Sequence, residues 1–327
     1  MDHRPDPELA AIAPLLPSSD MSDLAVAREQ EQRFLTGGPA YVPERKLEIT
    51  DVVIPGLSGN PPVSARLIAA EEAGKRLPCL LYLHGGGYVL GSLASVDNQA
   101  RRIADEVDVA VLAVDYRLAP EHPYPAALED AYAALIWSTS PGAAAHFVDP
   151  HRVGVLGDSA GGGLAAALTL LAAERGGPVI TAQFLDAPTV DDRGGTPSIR
   201  ELTDVPIWRS ADTPVIWRHY LGVRYGTSDV PATAAPARAT TAQLAGLPPA
   251  WLASYQLDPT RDEGLDYARK LIQAGVPTDI HHAAGAFHLT HLIPGTAIGE
   301  RLAAERLAAI RRLLTRPDPV RAGECSS

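Results

Sequence analysis

Two segments of alternating texture begin the ordered pattern of the chain. Residues 47–54 and 63–69 set apolar and polar side chains in turn, as half-buried strands do, and residues 56–62 between them carry turn residues. A hairpin opening a sheet is the expectation. After Pro78 the pattern changes to short, nearly continuous apolar runs at 79–83, 109–114, 153–156, 180–185 and 251–254. Each has the length of a strand buried on both faces. Helical stretches at 126–137, 162–175 and 262–274 separate several of them, and that alternation predicts parallel strands joined by right-handed crossovers. The fold class is therefore α/β, with a mostly parallel, doubly wound sheet. Residues 278–282 read as an edge strand able to pair with a second copy, and 298–314 as a final helix before a polar tail.

Two regions depart from the alternation. Residues 22–34 predict a peripheral helix, with sparse apolar positions among charges. Residues 186–230 cluster Asp, Gly, Thr and Pro around Ile207, Trp208, Val215, Ile216, Trp217 and Tyr220, a pattern expected of helices that cover something apolar. The division that follows is a cap segment 1–46, a core 47–185, a helical cap insertion 186–230, a second core part 231–316 and a tail 317–327.

Composition narrows the partners. A chain of 327 residues with 46% hydrophobic and 20% charged residues is long and apolar enough for one large buried core. Its formal charge of −11 repels nucleic acid and anionic membrane surfaces, leaving small or neutral molecules. Cys79 and Cys325 are too few for a disulfide framework or a cysteine metal cluster. The first twenty residues lack the apolar stretch of a signal peptide, and no run approaches a membrane span, so a cytoplasmic location is expected.

The candidate chemistry begins where the run 153–156 enters Gly157-Asp158-Ser159-Ala160-Gly161 and a helix starts at once. Strand, GxSxG and helix in that order describe a nucleophile elbow, with Ser159 on a strained turn above the C-terminal edge of the sheet. The amide of Ala160, at the helix start, would face developing negative charge. Upstream, His84-Gly85-Gly86-Gly87-Tyr88 follows an apolar strand, and its consecutive glycines allow backbone N–H groups to turn toward an oxyanion. His84 itself is read as holding that loop.

A triad in this fold order needs an acid and then a histidine after the serine. Asp258 follows the strand around 251–254 in Asp258-Pro259-Thr260-Arg261-Asp262-Glu263-Gly264, at the rim of the sheet; Asp262 and Glu263 suit a first helical turn. His281, His282, His288 and His291 compete for the base. The first two sit in the expected edge strand, whereas His288 lies in a loop after Gly285-Ala286-Phe287 and leads; His291 is read as an exposed loop histidine.

Together these residues resemble the bacterial hormone-sensitive-lipase-like esterases, a family of α/β hydrolases, from about residue 77 to residue 314. The resemblance rests on His84-Gly85-Gly86-Gly87, Asp115-Tyr116-Arg117-Leu118-Ala119-Pro120-Glu121, Gly157-Asp158-Ser159-Ala160-Gly161-Gly162 and Asp258-Pro259 with Arg261-Asp262-Glu263-Gly264. It implies a serine carboxylester hydrolase with a triad of Ser159, Asp258 and His288, the interval from Asp258 favouring His288 over its neighbours. It further implies an oxyanion hole of Gly86, Gly87 and Ala160, a two-part cap, framework roles for Tyr116, Arg117 and residues 121–125, and no metal or organic cofactor. Tyr88, Asp158, Ile207, Trp208 and Leu289 are the candidate substrate contacts, and short to medium acyl esters the expected substrates. Leu289 and Thr290 depart from the Gly-Phe pair that usually follows the family's histidine, and Ala283 and Ala284 replace a bulkier pair. Two alternatives stay open: the same triad acting on an amide, lactone or carbamate, and a non-catalytic small-ligand binder. A homodimer is the expected assembly.

Overall fold

The computed structural model describes residues 4–16, 20–37, 40–71, 75–146 and 148–315. Its centre is an eight-stranded sheet: β1 (Leu47–Ile54), β2 (Val63–Ala70), β3 (Leu77–Leu83), β4 (Ala110–Asp115), β5 (Val148–Asp158), β6 (Ala182–Asp186), β7 (Ala250–Leu257) and β8 (Thr278–Phe287). The spatial order is β1-β2-β4-β3-β5-β6-β7-β8. The opening hairpin joins antiparallel, β2 lies antiparallel to β4, and every later pair is parallel. The chain crosses over from β3 to β4 and returns to β5 on the other side of β3. The C-terminal ends of β5 to β8 therefore all point to one rim.

The helices are α1 (Pro7–Ile12), α2 (Leu24–Gly37), α3 (Leu93–Glu106), α4 (Ala126–Ser138), α5 (Pro141–Ala144), α6 (Ala160–Glu174), α7 (Pro197–Glu201), α8 (Thr213–Leu221), α9 (Thr241–Leu244), α10 (Arg261–Gln273) and α11 (Ala297–Ile310). Alternate residues of the central strands feed two apolar clusters. Leu81 and Leu83 join Leu128, Leu164 and Tyr267 from α4, α6 and α10, while Leu80 and Tyr82 join Val96, Ile103 and Ile310 from α3 and α11. All seven residues of β3 are buried, which is why its sequence shows no alternation.

Three features differ from the sequence expectation. Helix α3 was not anticipated, although Val96, Ala100, Ile103 and Ala104 recur at helical spacing and are buried on one face. Strand β8 continues to Phe287 after a register irregularity opposite Tyr255 and Leu257, so His288 leaves directly from a strand end rather than from a loop. The final helix stops at Ile310 and ends in a π-helical turn, Arg311–Thr315. Cys79 is buried in β3; Cys325 and the tail 317–327 lie outside the described residues. Among the described residues no helix is long and apolar enough to cross a membrane.

Candidate active site

Ser159 sits between the end of β5 and the start of α6 at φ 56° and ψ −119°, a backbone conformation costing about 1–3 kcal/mol for a residue with a side chain. Close packing of backbone imposes this turn. A Cβ on Gly157 would run into the carbonyl of Gly161, and one on Gly161 would strike the carbonyl of Leu83. The turn is pinned by the Ser159 amide, which donates to Asp186 O at 2.8 Å, and by the Ser159 carbonyl, which accepts from Thr189 N at 3.0 Å.

His288 lies with Nε2 2.9 Å from Ser159 Oγ and Nδ1 2.8 Å from Asp258 Oδ2. All three side chains are buried, so little water competes for these bonds. The other oxygen of Asp258 accepts from the Thr260 amide and the Thr260 hydroxyl, both at 2.9 Å. The turn carrying His288 is closed by Thr290, whose Oγ1 accepts from Phe287 N at 3.0 Å and donates to Phe287 O at 2.6 Å. Between them Leu289 occupies the left-handed region at φ 55°. A residue pair that looked like a departure thus has a local logic: Thr290 fixes a turn in which Leu289 bears the strain.

The glycine loop lies against the elbow. A Cβ on Gly85 would stand 3.5 Å from Ser159 Cβ, and Gly86 and Gly87 adopt φ of 113° and 61°. A Cβ on Gly87 would approach Ile216 Cγ2 to 2.8 Å and Trp208 Cη2 to 3.3 Å, and the Trp208 ring centroid lies 6.1 Å from that of His288. Trp208 and Ile216 therefore roof the glycine loop. Ile207 and Leu289 join one apolar cluster beside the site. Tyr88 is buried, stacks on Tyr220 with centroids 3.9 Å apart, and donates from its hydroxyl to Thr189 O at 2.9 Å. His84 holds the loop as expected: its ring stacks on Tyr116 at 4.1 Å with Nδ1 2.7 Å from Gly85 O, and burial pushes its pKa down to about 4.

Two expectations are corrected. Asp158 is not a substrate contact, because its carboxylate is buried and engaged by the Tyr82 hydroxyl and by Arg306 Nη1, the latter at 2.8 Å. His291 is not an exposed loop residue: it is buried between Tyr255 (Oη 2.9 Å from Nδ1), Asp186 and Arg306. Burial first, and then the Arg306 charge, drives the His291 pKa well down. Asp186 in the same cluster is pushed up to about 7, by burial first and with Arg306 opposing. Asp158, Asp186 and His291 bring ligand-type atoms within 4.8 Å of one another, but the guanidinium of Arg306 stands among them and supplies the cation. The remaining competitors lie elsewhere: His282 Nδ1 is 3.2 Å from Ser254 Oγ, and His281 lies tilted against Trp251, centroids 5.4 Å apart, and faces Glu305.

Sequence reasoning missed Thr260, Thr290 and Arg306. Thr260 had a signal in the Asp-x-Thr spacing of a side-chain turn. Arg306 had none, because a charged residue on a terminal helix ordinarily reads as solvated. Glu263 does begin α10 as expected, yet it is buried and accepts from the amides of Val190 and Asp191 at 2.7 and 3.3 Å.

A serine on a glycine-flanked turn between strand and helix, bonded to a histidine from the last strand, defines an α/β hydrolase site. A family model described as alpha/beta hydrolase fold matches residues 80–292. Esterase LipI of Mycobacterium tuberculosis is 38% identical over 88% of this chain and 88% of its own length. Carboxylesterase NlhH of the same organism is 36% identical over 94% and 96%. Among solved structures, a bacterial heroin esterase superposes with a TM-score of 0.92 at 40% identity, covering 96% of this chain and 99% of that one. The chain belongs to the alpha/beta hydrolase fold family, in its hormone-sensitive-lipase-like group of esterases.

Proposed function

We propose that the chain is a carboxylesterase that works through an acyl-enzyme on Ser159. The observation that carries the reading is the pair of bonds from His288, one ring nitrogen to Ser159 and the other to Asp258. Neutral His288, holding its proton on Nδ1 toward Asp258, takes the Ser159 proton at Nε2 as Oγ attacks the ester carbonyl. The amides of Gly86, Gly87 and Ala160 receive the oxyanion, each worth about 3 kcal/mol in the transition state. His288 then protonates the departing alcohol, and the same steps with water release the acid and restore Ser159. Asp258 keeps the ring in its tautomer and balances the imidazolium without taking the proton.

The same reading assigns residues 1–46 and 186–230 to a cap. Supporting contacts are Met21 N to Asp212 Oδ1 at 3.1 Å and Asp20 to Arg209 at 3.1 Å, which tie the two segments together. Trp208 and Ile216 lie close over the glycine loop, which supports a small acyl pocket and so short to medium acyl esters. Likeness to a heroin esterase fits this, since heroin is a diacetyl ester. A second copy pairing along β8 is the assembly proposed, and light scattering tests it.

Hydrolysis of p-nitrophenyl acetate, butyrate, octanoate and palmitate, with labelling by a fluorescent phosphonate, tests the activity. Turnover is expected to peak at the short chains and to vanish with the label in Ser159→Ala. Wild-type protein that neither labels nor turns over any ester would overturn the reading and leave a ligand binder.

A further inference from the structure

The oxyanion glycines are followed at once by a turn that the N-terminal helix grips from outside. The carbonyl of Gly86 accepts from Val89 N at 3.1 Å and Leu90 N at 2.8 Å, which folds the loop back and sets the plane of the peptide that carries the Gly87 N–H; the Gly85 carbonyl, in the plane of the Gly86 N–H, lies 2.7 Å from His84 Nδ1. Glycines at φ of 113° and 61° have little intrinsic preference for that arrangement. Something else must hold it. On the exit side, Arg28 of α2 donates through Nε to Val89 O at 3.0 Å and through Nη2 to Ala119 O at 3.2 Å. Three residues along the same helix, Glu31 Oε2 accepts from Gly91 N at 3.0 Å and Oε1 from Ser95 Oγ at 3.3 Å. Arg28 is itself aimed by a two-pronged bond to Glu121, at 2.7 and 2.9 Å. The Tyr88 carbonyl between these points accepts from Ala119 N at 3.0 Å, so the loop after β4 is tied into the same clamp.

We propose that Arg28 and Glu31 of α2 are positioning residues for the oxyanion hole, fixing the turn 88–91 so that the amides of Gly86 and Gly87 stay aimed at the reacting carbonyl oxygen. The inference rests on the assignment of those amides as oxyanion donors. It gives the N-terminal helix a part in the chemical step as well as in covering the site. The two side chains act on opposite polarity, Arg28 holding carbonyls and Glu31 an N–H, so the peptide planes between them cannot rotate without breaking one or the other. Most of the clamp belongs to side chains on a peripheral helix, so it can be cut without emptying the core.

A positioning role makes a specific demand on the kinetics. The oxyanion forms only after attack, so a misaimed amide weakens the transition state and leaves substrate binding alone. In Arg28→Ala and Glu31→Met, the second of which keeps the side-chain length and removes both acceptor oxygens, kcat on p-nitrophenyl butyrate should fall about tenfold with KM within about twofold of wild type. Affinity for an alkyl trifluoromethyl ketone, which forms a tetrahedral adduct on the serine, should fall by the same factor, while competitive inhibition by butanol is unchanged. Arg28→Lys, which keeps the charge and loses the fork, should recover only part of kcat. Circular dichroism and thermal melts identify any variant that has merely unfolded, and Glu31→Met, which keeps the packing of the side-chain stem, stands as the second arm. Variants with wild-type kcat and ketone affinity, or a loss carried wholly in KM, overturn the inference while the Ser159→Ala result leaves the proposed function standing. Failure of wild type to turn over ester removes both.

Discussion

At the scale of single residues, the proposed triad acid Asp258 is held by a threonine two residues on. Asp258 presents Oδ2 to His288 while Oδ1 accepts twice from Thr260, which fixes the carboxylate's orientation. Thr260→Val keeps the amide bond and the side-chain volume and deletes the hydroxyl. One hydrogen bond to a charged group is worth about 1.5–3 kcal/mol in place, and part of that is recovered by relaxation, so kcat should drop roughly fivefold to tenfold. A steady-state assay checks it, and unchanged kcat would show that the amide alone orients Asp258. Thr290 makes a similar case for the base. Thr290→Ala leaves the buried Phe287 N–H without its acceptor, at a cost of about 1–3 kcal/mol of stability. Urea unfolding should register that loss, and Thr290→Ser, which restores the hydroxyl, should return most of it.

At the scale of elements, the rims of β5, β6, β7 and β8 are locked together beneath Ser159 by a buried polar cluster. Asp158 comes from β5, Asp186 from β6, Tyr255 from β7, His291 from the turn after β8, and Arg306 from α11. Arg306 balances one carboxylate, and burial holds the second, Asp186, largely protonated below pH 7. The sign follows from linkage: with the folded pKa near 7 and the unfolded one near 3.8, the folded state binds the extra proton between them. That contribution is fully present below about pH 3.8 and is lost as pH rises toward 7. Asp186→Asn, a mimic of the protonated acid, removes the dependence. Its stability relative to wild type should therefore improve with pH, by at most about 1.4 kcal/mol per pH unit across this window. Denaturation curves at pH 5 and pH 7 decide it, and a pH-independent difference would mean that Asp186 is ionised throughout.

At the scale of the whole molecule, the legible parts were those set by short stretches of chain. The periodicity change near residue 78 marked where the sheet becomes buried on both faces, and β3 is buried along its whole length. The elbow was legible because the steric need for glycine at 157 and 161 arises within a few residues of Ser159 and against the adjacent strand. Asp258 was legible from its place after a strand and before a helix. Helix α3 carries its signal locally in the spacing of Val96, Ala100, Ile103 and Ala104, whereas the reach of β8 to Phe287 has no local signal, since pairing with β7 across an irregularity extends it. The sequence by itself thus determined the fold class, the strand-turn-helix around Ser159 and the set of histidines from which the base is drawn. It also favoured His288 among them, and that histidine does meet Ser159. Tertiary structure alone decided that Asp158 and His291 turn inward to Arg306, and that Arg28 and Glu31 reach the turn 88–91. These are contacts between residues 15 to 148 positions apart. Hydrophobic periodicity records which face of an element is buried and carries no record of which polar groups meet across the rim.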